Sequence, residues 1–527
     1  MPQTGRIVRK WWWLFIPAAF LVFLLAVSIY VYFWPETTEN QIRLAVTGAL
    51  SDRFQTQVEL RTLKIKVFPT VRITGEGLAL RYHGRQDVPP LIQIEKFSFS
   101  TGILGLLHKV KHIPLVRVQQ MVINIPPRET NQAKPGGMSS AGAAQDIIVD
   151  RVICDDTDLL IYPKNPEKGP LEWRIHNLLL TSAGIGKHFD FEGNLTNAKP
   201  TGEIATHGRF GPWDADDPGS TPVSGEYKFT NADLGPLPGI AGILSSTGKY
   251  DGLLSELQVE GETDTPDFSL DKVGRPVPLH TDFSATVDGT NGDTYLHPVK
   301  AMLGQSPIIC EGKVVRVPEK KGHIISIDTT VTGGQIQDFL NLTVNAQKPL
   351  LTGPVKLKAK LTIPPGKERV IEKMVLDGRF GVEDANWSNP EIRERLGSLS
   401  RHALGKPAEA DEGSAVSDLS GSFLMKDGVI RFRRLRFSVQ GADIDLTGTY
   451  ALVDGDLDFA GHMRLQAKLS QMVTGKKSFF LKALDPFFEK GTSGTVLPIH
   501  ISGTKQNPVF GVTLFHRNFE KHITQNK

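Results

Sequence analysis

The chain has 527 residues, with 60 basic and 57 acidic side chains and a formal net charge of +3. That length exceeds one ordinary hydrophobic core, so two or more domains or one elongated repetitive body is expected. The near balance of charge argues against a nucleic-acid binder. The two cysteines, Cys154 and Cys310, match no metal-ligand spacing and read as unlinked small apolar side chains. A single disulfide is the alternative in an oxidising compartment.

Residues 1–35 read as a short cytoplasmic tail followed by a transmembrane anchor. Leu14 to Phe33 carries no charge, and about twenty residues of helix span a bilayer core of roughly 30 Å. Trp11, Trp12 and Trp13 at one end and Tyr30, Tyr32 and Trp34 at the other form interfacial aromatic belts. Arg6, Arg9 and Lys10 precede the span while Glu36 and Glu39 follow it, which places the N-terminus in the cytoplasm and the body across the membrane. A cleaved signal peptide is the competing reading, but the run is too long and IYVYFWPE offers no small-residue cleavage site. No later apolar run is long enough to span a membrane, so a single-pass protein is expected.

Residues 36–127 form an N-terminal β domain that opens on a helix over 36–56, with Ile42, Ala45, Ala49 and Phe54 near one face. Short alternating runs follow, broken at Phe68-Pro69 and Gly75-Glu76-Gly77, with an apolar piece from Ile103 to Leu107 between two strands. Residues 128–146, rich in Gly, Ser and Ala, are a linker or loop. Residues 147–383 repeat the alternating texture without a strict period. Asp288-Gly289 and Asn291-Gly292 are hairpin signals there. Residues 384–527 are a C-terminal β domain containing a helix over 389–405. Asn389 is its N-cap, Pro390 its first residue and Gly405 its stop, with Ile392, Leu396, Leu399 and Ala403 as the apolar stripe. A last helical piece, KKSFFLKALDPFF, precedes the closing strand.

The expected fold is therefore mainly β, an elongated antiparallel sheet with a few short amphipathic helices. Its strands alternate as GPVKLKAKLTIPP does, where Val355, Leu357, Ala359 and Leu361 interleave with Lys356, Lys358 and Lys360. Each strand thus has one wet and one dry face, unlike a parallel strand buried on both. Such a sheet either curls into a trough lined by its dry face or splits into sandwiches that close over it. The dry face includes Val355, Leu357, Ala359, Leu361, Ile430, Phe432, Leu446, Leu457, Phe459, Ile499 and Ile501.

Catalytic signatures are lacking: there is no G-x-S-x-G, P-loop, H-E-x-x-H or C-x-x-C. The acidic loop with Asp214, Asp216 and Asp217 lacks the Gly and Glu of a calcium loop and reads as a solvated turn, as do Asp155, Asp156 and Asp158. The 14 histidines are dispersed. No catalytic residue, metal ligand or cofactor is assigned. Arg431, Arg433, Arg434 and Arg436 are a solvated basic face, or a contact for anionic lipid headgroups.

Three stretches together resemble the AsmA family of bacterial envelope proteins. They are the anchor with LKIKVFPTVRITGEGLALRY, the run PLIQIEKFSFSTGILGLLHKVKHIPLVRVQQMVINIPP, and the C-terminal SGSFLMKDGVIRFRRLRFSVQGADIDLTGTYALVDGDLDFAG with GTVLPIHISGTKQNPVFGVTL. In the last, Pro498, Ile501, Gly503, Thr504, Pro508 and Phe510 fill the family's closing-strand positions. The likeness covers about 200 residues at the two ends. It implies an inner-membrane protein with a periplasmic body, a trough-like sheet, membrane phospholipids and other envelope proteins as partners, and a part in outer-membrane assembly. The family's full bridges are much longer chains, so complete bridging by this one is not implied. A non-enzymatic envelope scaffold with a closed β core is the alternative, and a glycan hydrolase, which needs paired carboxylates in a cleft, is a third.

Overall fold

The structure, a computed structural model, describes residues 57–522 apart from connecting segments, the longest being 102–110, 126–146, 408–416 and 473–493. Single positions between 40 and 51 are also described. The expected membrane anchor, the 103–107 piece, the 128–146 linker and the helical piece at 476–488 lie outside the described residues. Among the described residues no helix is long and apolar enough to cross a membrane. The described positions Asn40, Arg43, Leu44, Thr47, Gly48 and Ser51 are helical, and the Arg43 guanidinium donates to the Leu60 carbonyl at 2.7 Å.

The fold is mainly β, and the chain divides into two compact units, residues 1–197 with 204–225 and residues 198–203 with 226–527. In chain order the first strands are β1 (Val58–Lys66), β2 (Val71–Leu80), β3 (Ile92–Thr101), β4 (Lys111–Ile113), β5 (Val116–Ile125), β6 (Ile147–Ile161), β7 (Leu171–Gly184), β8 (Phe189–Ala198), β9 (Thr201–Phe210) and β10 (Pro222–Asp233). In the first unit β1, β2, β3 and β5 pair in succession as antiparallel neighbours, and β6, β7 and β8 do the same. The join between the two sets corrects the expected all-antiparallel sheet, because β5 and the short β4 both pair β6 in parallel. Residues 126–146 connect β5 to β6. A parallel neighbour requires a crossover of a dozen or more residues, and this segment is long enough to supply it.

The alternation in this unit has a phase slip that the sequence alone hides. Pairing of β1, β2, β3, β5, β6 and β7 is interrupted along one transverse row, Arg61, Gly77, Glu95, Gln120, Asp156 and His176, and then resumes. Gly77, Gln120 and Asp156 have φ of 67°, 54° and 56° there. The extra residue turns side chains three apart onto one face. Leu60 with Leu63, Val118 with Met121 and Cys154 with Thr157 are all buried as a result.

The second unit continues with β11 (Ile240–Ala241), β12 (Ile243–Leu253), β13 (Glu256–Thr265), β14 (Ser269–Leu270), β15 (Leu279–Val287), β16 (Thr294–Leu303), β17 (Ser306–Arg316) and β18 (His323–Gln335). Then come α1 (Ile336–Thr343), β19 (Leu351–Thr352), β20 (Pro354–Ile363), α2 (Val370–Lys373), β21 (Val375–Trp387) and α3 (Pro390–Ala403). The last strands are β22 (Ser417–Lys426), β23 (Val429–Val439), β24 (Ala442–Ala451), β25 (Asp456–Leu465), β26 (Thr495–Thr504), β27 (Pro508–Leu514) and β28 (Arg517–His522). From β12 to β28 it is an antiparallel meander of neighbours, interrupted only by the small β11–β14 and β19–β21 pairs. Among the described residues no pairing returns β28 to β12, so this sheet is not curled closed. At the Asp288 turn the carboxylate accepts from the Thr290 amide and the Asn291 side chain, at 2.9 and 2.6 Å.

Two clusters of buried residues lie along one rim of this sheet, under the helices. The α3 helix is as read: Asn389 Oδ1 accepts from the Glu391 amide at 2.8 Å and Gly405, at φ 75°, ends it. Leu396, Leu399 and Ala403 pack on Val439, Ala442, Leu465 and Leu497. The α1 helix, unread in the sequence, sets Ile336, Phe339 and Leu340 on Leu351, Val355, Val382 and Ala385. It is pinned by Asp338, whose carboxylate accepts from the Gln305 amide at 2.9 Å and from Ser306 Oγ at 2.7 Å.

Candidate apolar binding face

The strand register brings every sequence-predicted dry-face residue onto one side of one sheet. Leu357 faces Val331 and Phe380, and Ala359 faces Gly378. Met425 opposes Ile430, which opposes Tyr450, which opposes Leu457. Phe432 opposes Gly448, which opposes Phe459, which opposes Ile501. Leu446 opposes Gly461, which opposes Ile499. A bulge at Arg433 and Arg434 keeps Phe432 and Leu435 on this face and sends both arginines to the other.

Burial across the face is graded. At the helix-covered rim Val355, Val382 and Leu465 are 3%, 1% and 3% exposed. Leu446, Phe459 and, at the far end of the face, Met425 at 2% are also buried. Away from the rim Leu357, Ala359, Leu361, Ile430, Phe432, Leu457, Ile499 and Ile501 are only half-buried. A second sheet packed on them would bury them fully, as the inner faces of a sandwich are. The apolar side chains retain contact with water or with whatever displaces it.

An aromatic row crosses this half-covered region. Ring centroids of Phe380 and Phe423 are 6.2 Å apart, of Phe423 and Phe432 6.3 Å, and of Phe432 and Phe459 5.7 Å. Glycines make room for it: a Cβ at Gly378 would meet the Phe423 ring at 2.9 Å and one at Gly421 the Phe380 ring at 2.9 Å. At Gly448 it would meet the Phe459 ring at 2.7 Å. Rings laid over cross-strand glycines compensate their missing side chains. Phe380 and Phe423 escaped the sequence reading, because the Phe–Gly pairing that reveals them is a matter of register. In the first unit Phe97 lies over Gly75 in the same way.

The opposite face is an ion-pair lattice. Lys356 meets Glu383 at 2.8 Å, Arg433 meets Asp377 at 2.9 Å, and Arg434 and Arg464 converge on Asp445 at 3.4 and 2.6 Å. Arg436 adds a 3.3 Å pair with Asp443. Partial burial pushes the Asp445 carboxyl up, but the Arg464 hydrogen bond and the charges of Arg436, Arg464 and Arg434 outweigh it and hold it below the usual range. The arginine cluster of β23 is thus largely neutralised by its neighbours.

Other candidates resolve into structural roles. Cys154 and Cys310 are free thiols. Cys154 is 1% exposed on the apolar face with Val118 and Met121, and burial, then Asp155, pushes its thiol up to about 12. In the acidic loop Asp214 Oδ1 accepts from the Asp217 amide at 2.9 Å and Asp217 Oδ2 from Ser220 Oγ at 2.8 Å, so these carboxylates hold a turn. Asp156 sits in the bulge row, and Asp158 lies 3.7 Å from Arg174.

One metal-capable group escaped the sequence reading. Glu262, His280 and Asp282 place ligand atoms within 4.8 Å of one another. The Asp264 carboxylate is 2.8 Å from His280 Nδ1, and that hydrogen bond leads the causes that raise the imidazole pKa. Glu262 stands 18 and 20 positions before His280 and Asp282 and meets them only through β13–β15 pairing. No family model matches the chain, and no curated protein or solved structure is similar enough to assign kinship.

Proposed function

We propose that this chain is an AsmA-like protein of the bacterial envelope, anchored in the inner membrane by Leu14 to Phe33, with its body in the periplasm. Its dry β face carries phospholipid acyl chains in support of outer-membrane assembly. The observation that carries this reading is the set of apolar side chains, among them Leu357, Leu361, Ile430, Phe432, Ile499 and Ile501, left half-buried beyond the helix-covered rim. In this reading the sheet curls about that face as a trough. An acyl chain of sixteen carbons laid along it gains of order 10 kcal/mol at about 0.8 kcal/mol per CH₂ buried. Movement is exchange along a non-specific surface and needs no chemical step, cofactor or metal.

A photo-crosslinking amino acid placed in cells at Leu357, with the ion-paired Lys356 on the opposite face as control, tests the reading by mass spectrometry of the attached adducts. Lipid at 357 and not at 356 is expected. Protein adducts alone at 357 would instead favour a scaffold with a closed core, the reading to which the buried clusters under α1 and α3 lend weight.

A further inference from the structure

The ion-pair lattice of β20–β23 has a gap at its centre. Lys356, Lys360 and Arg433 are matched to Glu383, Asp328 and Asp377. Between these pairs Lys358 stands directly opposite Arg379. Among the described residues neither cation has an ion-pair or hydrogen-bond partner, whereas Lys356, Lys360 and Arg433 beside them do. Like charges directly opposed across an antiparallel pair are unfavourable, so the sheet itself gains nothing from this arrangement.

The same register extends the pair at both ends. Thr330 lies opposite Lys358, and Ser422 lies opposite Arg379. A row of hydroxyl, ammonium, guanidinium and hydroxyl therefore crosses four adjacent strands. All four residues line one shallow cleft of about 380 Å³. The nearest carboxylates in that cleft, Asp328 and Asp377, are engaged by Lys360 and Arg433 and do not cancel the two central charges.

We propose that this row binds an oxyanion of the phosphate class. Guanidinium offers a planar fork of donors, ammonium a compact charge, and the hydroxyls two further donors. Strand spacing of about 4.8 Å sets the two cations on either side of an anion of phosphate size. The anion is either free phosphate or the phosphodiester of an anionic lipid headgroup. The site is on the polar face, so it does not rest on the apolar-face reading.

The test is calorimetric titration of the full chain in detergent micelles, with sodium phosphate in one arm and dihexanoyl phosphatidylglycerol in the other. Saturable binding in the first arm identifies free phosphate as the ligand, and binding in the second alone identifies the headgroup. Lys358→Gln/Arg379→Gln should weaken binding by about tenfold or more, the size of a lost charge-assisted contact. The charge-matched Lys356→Gln/Lys360→Gln should change it less than about threefold, as expected for exposed, already paired cations. Arg379→Glu should abolish binding and melt no lower than the parent, which separates loss of the site from loss of the fold. Absence of saturable binding in both arms, or equal losses in the two double variants, overturns the proposal.

Discussion

Leu357 and Val355 sit two residues apart on the same face of β20, and an aspartate at each position measures how far the closed core extends. Val355 is 3% exposed and packed among Leu351, Val382 and Ala385 under α1. A carboxylate there has no partner, and a buried unpaired charge is among the few single changes that cost more than about 4 kcal/mol. Leu357 is half-buried. Full burial of a leucine is worth about 1.5–3 kcal/mol, and Leu357, only partly exposed, forfeits most of that, about 1–2 kcal/mol, in Leu357→Asp when its carboxylate can reach water. Differential scanning fluorimetry of both variants should show Val355→Asp losing most of the unit's cooperative transition. Leu357→Asp should move the midpoint by only a few degrees, at roughly 2–4 °C per kcal/mol for a unit of this size. Equal losses at the two positions would refute the reasoning, because they would mean that the face is closed over Leu357 as well.

Gly448→Ala places a methyl group against the Phe459 ring and the Asp458 carbonyl, and should cost about 1–3 kcal/mol in chemical denaturation, as overpacked sites do. Cys154, with its thiol near 12 and its side chain 1% exposed, should resist maleimide labelling at pH 8 in the folded chain, while Cys310, half-buried, reacts first. His280 should titrate above the ordinary imidazole value by NMR and fall back in Asp264→Asn. Because its folded pKa is raised, its contribution to stability is fully present below the unfolded value and is lost as pH rises through the folded one.

Strand content, the α3 helix with its Asn389 cap, and membership of the dry face were legible because each rests on residues within a few positions of one another. Period-two alternation assigns Leu357 and Lys358 to opposite faces whatever lies beside them. What escaped depends on neighbours distant in sequence. The α1 helix has only eight residues, and its apolar positions Ile336, Phe339 and Leu340 follow directly on the alternation of β18. The Phe380–Phe423–Phe432–Phe459 row and the Glu262–His280–Asp282 group exist only once register is fixed. The parallel β5–β6 join depends on a crossover whose sequence signals nothing more than a loop.

The transverse row in the first unit explains why alternation fades in runs such as VELRTLKIK, where Leu60 and Leu63 share a face. A one-residue insertion in a single strand would put every side chain beyond it on the wrong face relative to its neighbours. The sheet keeps one apolar face only if adjacent strands slip together, and Arg61, Gly77, Glu95, Gln120, Asp156 and His176 lie along such a line. The same necessity places Cys154 and Thr157 side by side in the core although three residues separate them. Thr157 Oγ1 is buried there without a hydrogen-bond partner, the kind of polar defect an apolar face bears when its membership is set by the slip of a whole row and not by the preference of one residue. Sequence alternation in β1 to β7 therefore reports the face of a strand only on each side of that row, and the sheet supplies the rule that joins the two halves.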